Sequence, residues 1–314
     1  MQNVDYDLVI IGGGPAGLTA GLYAARARLN VILLEKSVTG GQIIVTDWIE
    51  NYPGFPEGIS GIDLTNKMSE QAKRFGLKME TEEVLSIDCS EKVKKIRLSD
   101  KTITAYTVII ATGASPSKLG VPGEDAFYGK GVSFCATCDG PFFSGSVVAA
   151  VGGGDTAVQE SIFLTKFAKK VFIIHRRNEL RASKILQERA FANDKIEILW
   201  DSVLTNIKGA KTGVTNISVK NVKTENTTDY AVDGCFIWVG IQPNSGFLGD
   251  DIKLDEHGFV LVDKKMETSV QGVFAAGDGR STPLRQIATA IGDAAIAAVS
   301  AEHYIENLQI KKVN

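Results

Sequence analysis

The sequence predicts an α/β protein of two Rossmann-like dinucleotide-binding domains, one inserted into the other. Three observations support this. Residues 7–36 read as an apolar strand, a glycine-rich turn, a small-residue helix and a second apolar strand, a complete βαβ unit. The pattern returns at residues 147–177, displaced by 140 positions (152 − 12 = 140 for the first glycines of the two turns). Proline- and glycine-punctuated stretches from Pro116 to Gly123 and at Gln242-Pro243-Asn244 bracket the second copy, which is expected to span 117–246, with 1–116 and 247–314 forming the outer domain.

In the first unit, Gly12-Gly13-Gly14-Pro15-Ala16-Gly17 follows an apolar strand and opens the helix. Gly12 permits the tight turn, Gly14 lets the backbone approach a pyrophosphate, and Gly17 lets helix and strand pack closely. Glu35 closes the second strand at about the 20-residue distance where an acid holds a ribose hydroxyl pair. The turn Thr39-Gly40-Gly41-Gln42 is rich in backbone donors, and a loop containing Asn51, Pro53 and Pro56 follows. Gly41, Gln42 and Asn51 are counted with the cofactor-binding candidates. Residues 61–76 form an amphipathic helix with Ile62, Leu64, Met68, Ala72 and Phe75 on its apolar face. Strand-like text then ends in an apolar run and a turn at Ala111-Thr112-Gly113, a third approach to the same cofactor.

In the second copy the turn is Gly152-Gly153-Gly154-Asp155-Thr156-Ala157, with Gly152, Gly154, Asp155 and Thr156 as candidates. Counting 23 residues from the first glycine lands on Glu35 in the first copy and on His175 in the second, where Arg176, Arg177 and Arg181 follow. An acid there suits a free ribose 2′-hydroxyl. Arginines suit a 2′-phosphate through forked, charge-assisted hydrogen bonds. The second site is therefore expected to take NADPH in preference to NADH. Residues 195–240 alternate as strands, with an exposed turn at 208–213. A late strand, Val273-Phe274-Ala275-Ala276-Gly277-Asp278, delivers Asp278 either as a helix cap or, the favoured reading, as a polyol or phosphate contact. Arg285, Gln286 and Ile287 lead into the final helix and complete the cofactor list.

Composition narrows the class. The 314 residues suit two domains, and 44% apolar content describes a globular chain. With 34 basic and 37 acidic residues the net charge is −3, which provides no bulk attraction to nucleic acid or an anionic membrane. The acidic N-terminus lacks a signal-peptide pattern, and no apolar run reaches the roughly 18 residues a span needs. A cytoplasmic location is expected. Four cysteines in this length do not make a disulfide framework.

Cys135-Ala136-Thr137-Cys138-Asp139-Gly140 places two thiols three residues apart, just upstream of the second glycine turn. Such a pair can close and reopen a small disulfide ring. A structural pair or half a zinc site is the competing reading, but zinc needs two further ligands at matching spacing, and Cys89 and Cys235 stand alone as small buried hydrophobes. No metal is expected. Asp139 is either the acid/base partner of the thiols or a helix N-cap.

These features together resemble the low-molecular-weight, bacterial-type thioredoxin reductases over essentially the whole chain. The carriers are the two glycine turns, Gly40-Gly41-Gln42, Ala111-Thr112-Gly113-Ala114, the Cys135 to Gly140 run, His175-Arg176-Arg177 with Arg181, and Ala276-Gly277-Asp278 with Arg285-Gln286. The resemblance implies FAD in the outer domain, NADPH in the inserted one, a homodimer, and a thioredoxin or thioredoxin-like protein as partner. The expected route is hydride from NADPH to the flavin, reduction of a Cys135–Cys138 disulfide, and dithiol exchange with oxidised thioredoxin. The resemblance sets Cys138 against the flavin and Cys135 toward the partner, a division that spacing alone leaves open. Serving both the flavin and a bulky protein requires the inserted domain to rotate about the crossings near 116–122 and 242–246. Thr156 stands where the family more often has serine, and residues 279–283 lie in a stretch that varies freely. Two alternatives stay open: a flavoprotein reductase of a peroxide-scavenging system, which would carry an N-terminal extension where this chain starts its first βα unit by residue 7, and a non-catalytic FAD/NADPH-sensing protein.

Overall fold

The computed structural model describes residues 4–46 and 48–310, apart from the side chains of Val45, Thr137, Cys138, Gln309 and Ile310. It divides into two compact units, Met1–Ser115 with Gln242–Asn314, and Pro116–Ile241.

The outer unit begins with β1 (Tyr6–Ile11), α1 (Pro15–Arg26) and β2 (Val31–Glu35). Leu8 to Ile11 and Val31 to Leu34 are buried without alternation, the pattern of parallel strands covered on both faces. Each fully buried Leu or Ile there contributes about 1.5–3 kcal/mol. Eight of the 12 residues of α1 are buried and most are small, which lets the helix lie close against the strands. After α2 (Gly61–Arg74) come β3 (Lys78–Thr81), β4 (Ser86–Asp88), β5 (Lys94–Arg97), β6 (Thr102–Ile110) and β7 (Ala114–Pro116). Ser60 caps α2 by accepting from the Asp63 N–H at 3.1 Å. The expected apolar face of α2 needs correction. Leu64 and Ala72 are buried with Thr65 and Ser69, whereas Ile62 is 57% exposed and Phe75, past the last turn, is 38% exposed. The inward stripe is thus Leu64, Thr65, Ser69 and Ala72, with Met68 packed against the same core, and Phe75 lies under the Arg26 guanidinium, 5.5 Å from its ring centroid.

The inserted unit follows. It carries β8 (Val132–Ser133), the short α3 (Ala136–Asp139), β9 (Val147–Gly152), α4 (Asp155–Leu164), β10 (Lys170–Ile174), α5 (Lys184–Phe191) and β11 (Ile196–Leu199). An antiparallel ladder of β12 (Ser202–Ala210), β13 (Gly213–Asn221) and β14 (Thr227–Ala231) precedes β15 (Gly234–Trp238). The parallel sheet has the order β11-β10-β9-β15-β8. The offset seen in the sequence is kept: α1 starts at Pro15 and α4 at Asp155 (155 − 15 = 140).

The chain returns through β16 (Ile241–Pro243), which pairs with β7, to β17 (Val273–Ala275) and the long α6 (Ile287–Ile310). β17 pairs in parallel with the second half of β6, whose first half pairs antiparallel with β5. The parallel core of the outer sheet therefore reads β3-β2-β1-β6-β17, with the carboxyl ends of β1, β6 and β17 together. Ligands of open α/β sheets bind at such ends.

Candidate active site

In the outer unit, α1 starts immediately after the glycine turn. Its N-cap, Gly14, is extended, no side chain caps the helix, and the first turn holds no acid. The amides of that turn are thus left for an external anion. Gly41 faces Gly14 so closely that a Cβ on it would lie 3.0 Å from the Gly14 Cα. This glycine-lined gap fits a diphosphate, for which any side chain would be an obstruction. Beside it lies a cleft of about 260 Å³ lined by Gly12, Glu35, Lys36, Thr112, Asn244 and Phe247, among others. The Glu35 carboxylate accepts from the Gly13 N–H at 2.7 Å and the Ser37 N–H at 3.0 Å, which fixes its orientation at the cleft.

Other candidates converge although they are remote in sequence. The Asn51 amide donates to Gln286 Oε1 at 2.8 Å across 235 positions. Asp278 lies in the turn Gly277–Gly279 after β17, where burial pushes its carboxyl up and the Arg285 guanidinium pulls it down. Arg285 itself stacks over Phe259 at 4.1 Å and donates from Nε to the Asp278 carbonyl at 3.4 Å. Ala16 and Ala111 are buried, and Ile287 packs on the cluster of Ile49, Ile59 and Leu64.

Three contributors escaped the sequence reading. Asn244 gathers Thr112 and Ser115: its amide donates to the Thr112 carbonyl at 2.8 Å, its own carbonyl accepts from Thr112 Oγ1 at 2.9 Å, and its Oδ1 accepts from Ser115 Oγ at 2.7 Å. Arg280, within the stretch expected to vary freely, makes a two-point ion pair with Asp293 of α6 at 2.6 Å on both arms, and Asp293 also accepts from the Gly277 N–H at 3.2 Å. This pair braces the turn that presents Asp278. Asparagine after proline and acids in a helix are too common to have signalled either role.

In the inserted unit Gly154 caps α4 without a side-chain hydrogen bond, as Gly14 does for α1. His175 does not face outward with the arginines. The residue is only 4% exposed, its ring under the glycine turn with Nδ1 3.0 Å from the Gly152 carbonyl. Burial depresses its pKa, against the pull of the Glu179 and Gly152 carbonyls and with the help of Arg181 and Arg177. Arg176, Arg177 and Arg181 are exposed and have no carboxylate partner among the described residues. Asp155 accepts from the Ser183 N–H at 2.6 Å.

Cys135 sits between β8 and α3 and is disulfide-bonded. Buried Ser133 holds it, accepting from the Cys135 N–H at 3.0 Å and donating to the Cys135 carbonyl at 3.2 Å. The Trp238 indole donates to the Phe134 carbonyl at 3.0 Å. The Cys138 side chain lies outside the described residues. Asp139 ends α3 and makes no capping hydrogen bond to the following turn, Gly140–Phe143. Cys89 and Cys235 are free and buried, and burial pushes their thiols up to about 11 and about 12. They are inert at neutral pH. No group of side chains that could hold a metal ion occurs among the described residues.

A strand–glycine–helix cradle built twice, with a disulfide at the head of one copy, defines a two-nucleotide oxidoreductase fold of the disulfide type. The chain belongs to the pyridine nucleotide-disulphide oxidoreductase family, whose profile matches residues 6–294. It is 47% identical to a thioredoxin reductase of Peptoclostridium litorale, over 98% of this chain and 99% of that one, and 45% identical to a thioredoxin reductase of Bacillus subtilis over 97% and 96%. The crystal structure of Lactococcus lactis thioredoxin reductase aligns with a TM-score of 0.94 at 44% identity, covering 96% of this chain and 100% of that one.

Proposed function

We propose that this chain is an NADPH-dependent thioredoxin-disulfide reductase, with FAD held by the outer unit and NADPH by the inserted one. The disulfide at Cys135, carried on the unit whose turn leads to arginines with no carboxylate partner among the described residues, is the observation that carries the proposal. When bound, the two cofactors supply the hydride and two-electron chemistry.

The protein's part is positional. Gly12, Gly14, Gly41 and the first turn of α1 receive the FAD diphosphate, Glu35 the adenosine ribose, and Asp278, Arg285 and Gln286 the far side. Gly152 and Gly154 receive the NADPH diphosphate, and Arg176, Arg177 and Arg181 its 2′-phosphate. Reduction of a Cys135–Cys138 disulfide takes two electrons and two protons, breaks the S–S bond and yields two thiols. The Cys135 thiolate then attacks one sulfur of the partner's disulfide. That forms a mixed disulfide and expels the partner's second sulfur as a thiolate, which takes up a proton. Attack by Cys138 closes the ring again and releases the partner as a dithiol. Asp139 is the proton carrier for these thiolates, consistent with its freedom from capping. The inserted unit turns about 116–122 and 242–246 between the two half-reactions.

Residence in the cytoplasm is part of this reading, and no helix among the described residues is long and apolar enough to cross a membrane. The functional species is a homodimer. The exposed Tyr23, Ile296 and Val299, on α1 and α6 around a groove of about 560 Å³, supply an apolar face for such a contact. Light scattering of the flavin-loaded protein tests it, a monomer mass opposing it. The activity is tested by NADPH-dependent reduction of a thioredoxin disulfide, and absence of turnover with a panel of thioredoxin-fold partners counts against it.

A further inference from the structure

Asp155 is an anomaly where it stands. It is the first residue of α4, beside a turn that receives phosphate on the reading above, and its equivalent in the first copy is the uncharged Pro15. A free carboxylate there would repel a bound diphosphate. Its Oδ1 is instead engaged by the Ser183 N–H at 2.6 Å, a short charge-assisted bond. The adjoining contacts run the same way. The Arg181 N–H and the Ala182 N–H both donate to the Gly153 carbonyl, at 2.7 and 3.1 Å. One position earlier, the Gly152 carbonyl accepts from His175 Nδ1 at 3.0 Å, which fixes the neutral ring as the Nδ1–H tautomer. Because C=O and N–H point oppositely across a trans peptide, this turns the Gly153 N–H away from the imidazole. A Cβ at Gly153 would overlap the His175 ring, so the ring acts as the floor on which the turn is shaped.

We propose that Asp155 and His175 are positioning residues that clasp the glycine-rich turn to the segment carrying Arg181, so that selectivity for an adenosine 2′-phosphate depends on them although neither touches it. The Asp155–Ser183 bond joins the start of α4 to the end of the arginine segment, the Gly153 carbonyl joins its middle, and His175 holds the turn from below. With the clasp open, Arg181 loses its fixed distance from the turn. The arginines then neutralise phosphate only as mobile surface charges.

This rests on the NADPH reading, and the test separates the two. The flavin-loaded enzyme is titrated calorimetrically with adenosine 2′,5′-bisphosphate and with 5′-AMP, and the ratio of the two affinities is read. Asp155→Ala is expected to reduce that ratio about tenfold, the loss of one charge-assisted hydrogen bond. Asp155→Asn, whose amide oxygen still accepts from Ser183, is expected to keep it within about twofold. Ser183→Pro removes the same bond from its donor side at a φ of −57° that proline adopts, and is expected to match Asp155→Ala, which guards against misfolding of a single variant. An unchanged ratio in both Asp155→Ala and Ser183→Pro, or an equal loss in Asp155→Asn and Asp155→Ala, overturns the clasp while leaving the NADPH reading in place. A native enzyme with no preference for the bisphosphate overturns both.

Discussion

Replacing Gly12 by alanine is expected to strip the outer unit of flavin while leaving the inserted unit folded. The backbone at Gly12 has φ +107°, a region that side chains rarely enter. A Cβ there would overlap the Ala111 carbonyl oxygen and stand 2.6 Å from its carbon and 2.9 Å from the Thr112 nitrogen. All three are backbone atoms of the neighbouring turn, so no side chain can swing aside. The strained conformation costs about 1–3 kcal/mol and the displaced backbone about 1–3 more. The sum, about 2–6 kcal/mol, is a large part of a domain's stability, and the shift falls on the cleft that Gly12 and Thr112 both line. Gly76→Ala is the control: φ there is +97° with nothing within 4 Å of the added carbon, so only the conformational part applies. The assay is the flavin-to-protein absorbance ratio of the purified variants with their thermal midpoints. Gly12→Ala should lose most flavin and unfold well below Gly76→Ala, which should keep it. Full flavin content in Gly12→Ala with a midpoint equal to that of Gly76→Ala would refute the close-approach reasoning.

Arg176→Ala with Arg177→Ala should weaken NADPH by at least about tenfold per arginine while leaving NADH nearly unchanged, as measured by cofactor titration, since charge-assisted hydrogen bonds are worth about 1.5–3 kcal/mol each. Cys138→Ser should still be bleached by NADPH but fail to reduce thioredoxin, and retained turnover would remove the cysteine relay. Arg280→Met should leave Asp293 as a buried, uncompensated charge and cost about 3–5 kcal/mol in chemical denaturation, with most of the loss recovered in the Arg280→Met, Asp293→Leu double variant. For His175 the folded-state pKa lies below its ordinary value of 6.5, so the unfolded chain binds the proton first on acidification. Its contribution is therefore complete above about 6.5 and is lost as pH falls through the folded value, with a slope of at most about 1.4 kcal/mol per pH unit. The thermal midpoint of the native protein should fall more steeply below that pH than that of His175→Asn.

Both βαβ units were readable because their signals are local and redundant: unbroken Val/Ile/Leu strands, glycines at fixed offsets and a small-residue helix all lie within about 30 residues. The 140-residue offset survived in three dimensions because each copy builds its turn from the same strand-to-helix geometry. What escaped reading is what depends on chain segments meeting. Asn51 and Gln286 were each singled out, but their contact across 235 positions exists only once α6 has returned to the sheet. Asn244 read only as part of the crossing between the domains, and its triple engagement of Thr112 and Ser115 needs β7 and β16 side by side. His175 sat at the position of a ribose-binding acid, and the prediction treated it as one of a basic group. A neutral ring suits burial as a guanidinium does not, so it went under the turn while the arginines stayed in water. On α2, spacing alone favoured Ile62 and Phe75, but Ile62 lies in the first turn and Phe75 past the last one, and both stay exposed, Phe75 meeting the Arg26 guanidinium of α1.

The central claim is that electrons pass from NADPH through the flavin unit to the disulfide at Cys135 and on to a protein disulfide. Anaerobic addition of NADPH to the yellow protein, followed by oxidised thioredoxin, tests it in one cuvette. Bleaching of the flavin colour by NADPH, and its return on adding thioredoxin, is the expected result. Colour that persists with NADPH, or bleaching that thioredoxin does not reverse, would contradict it.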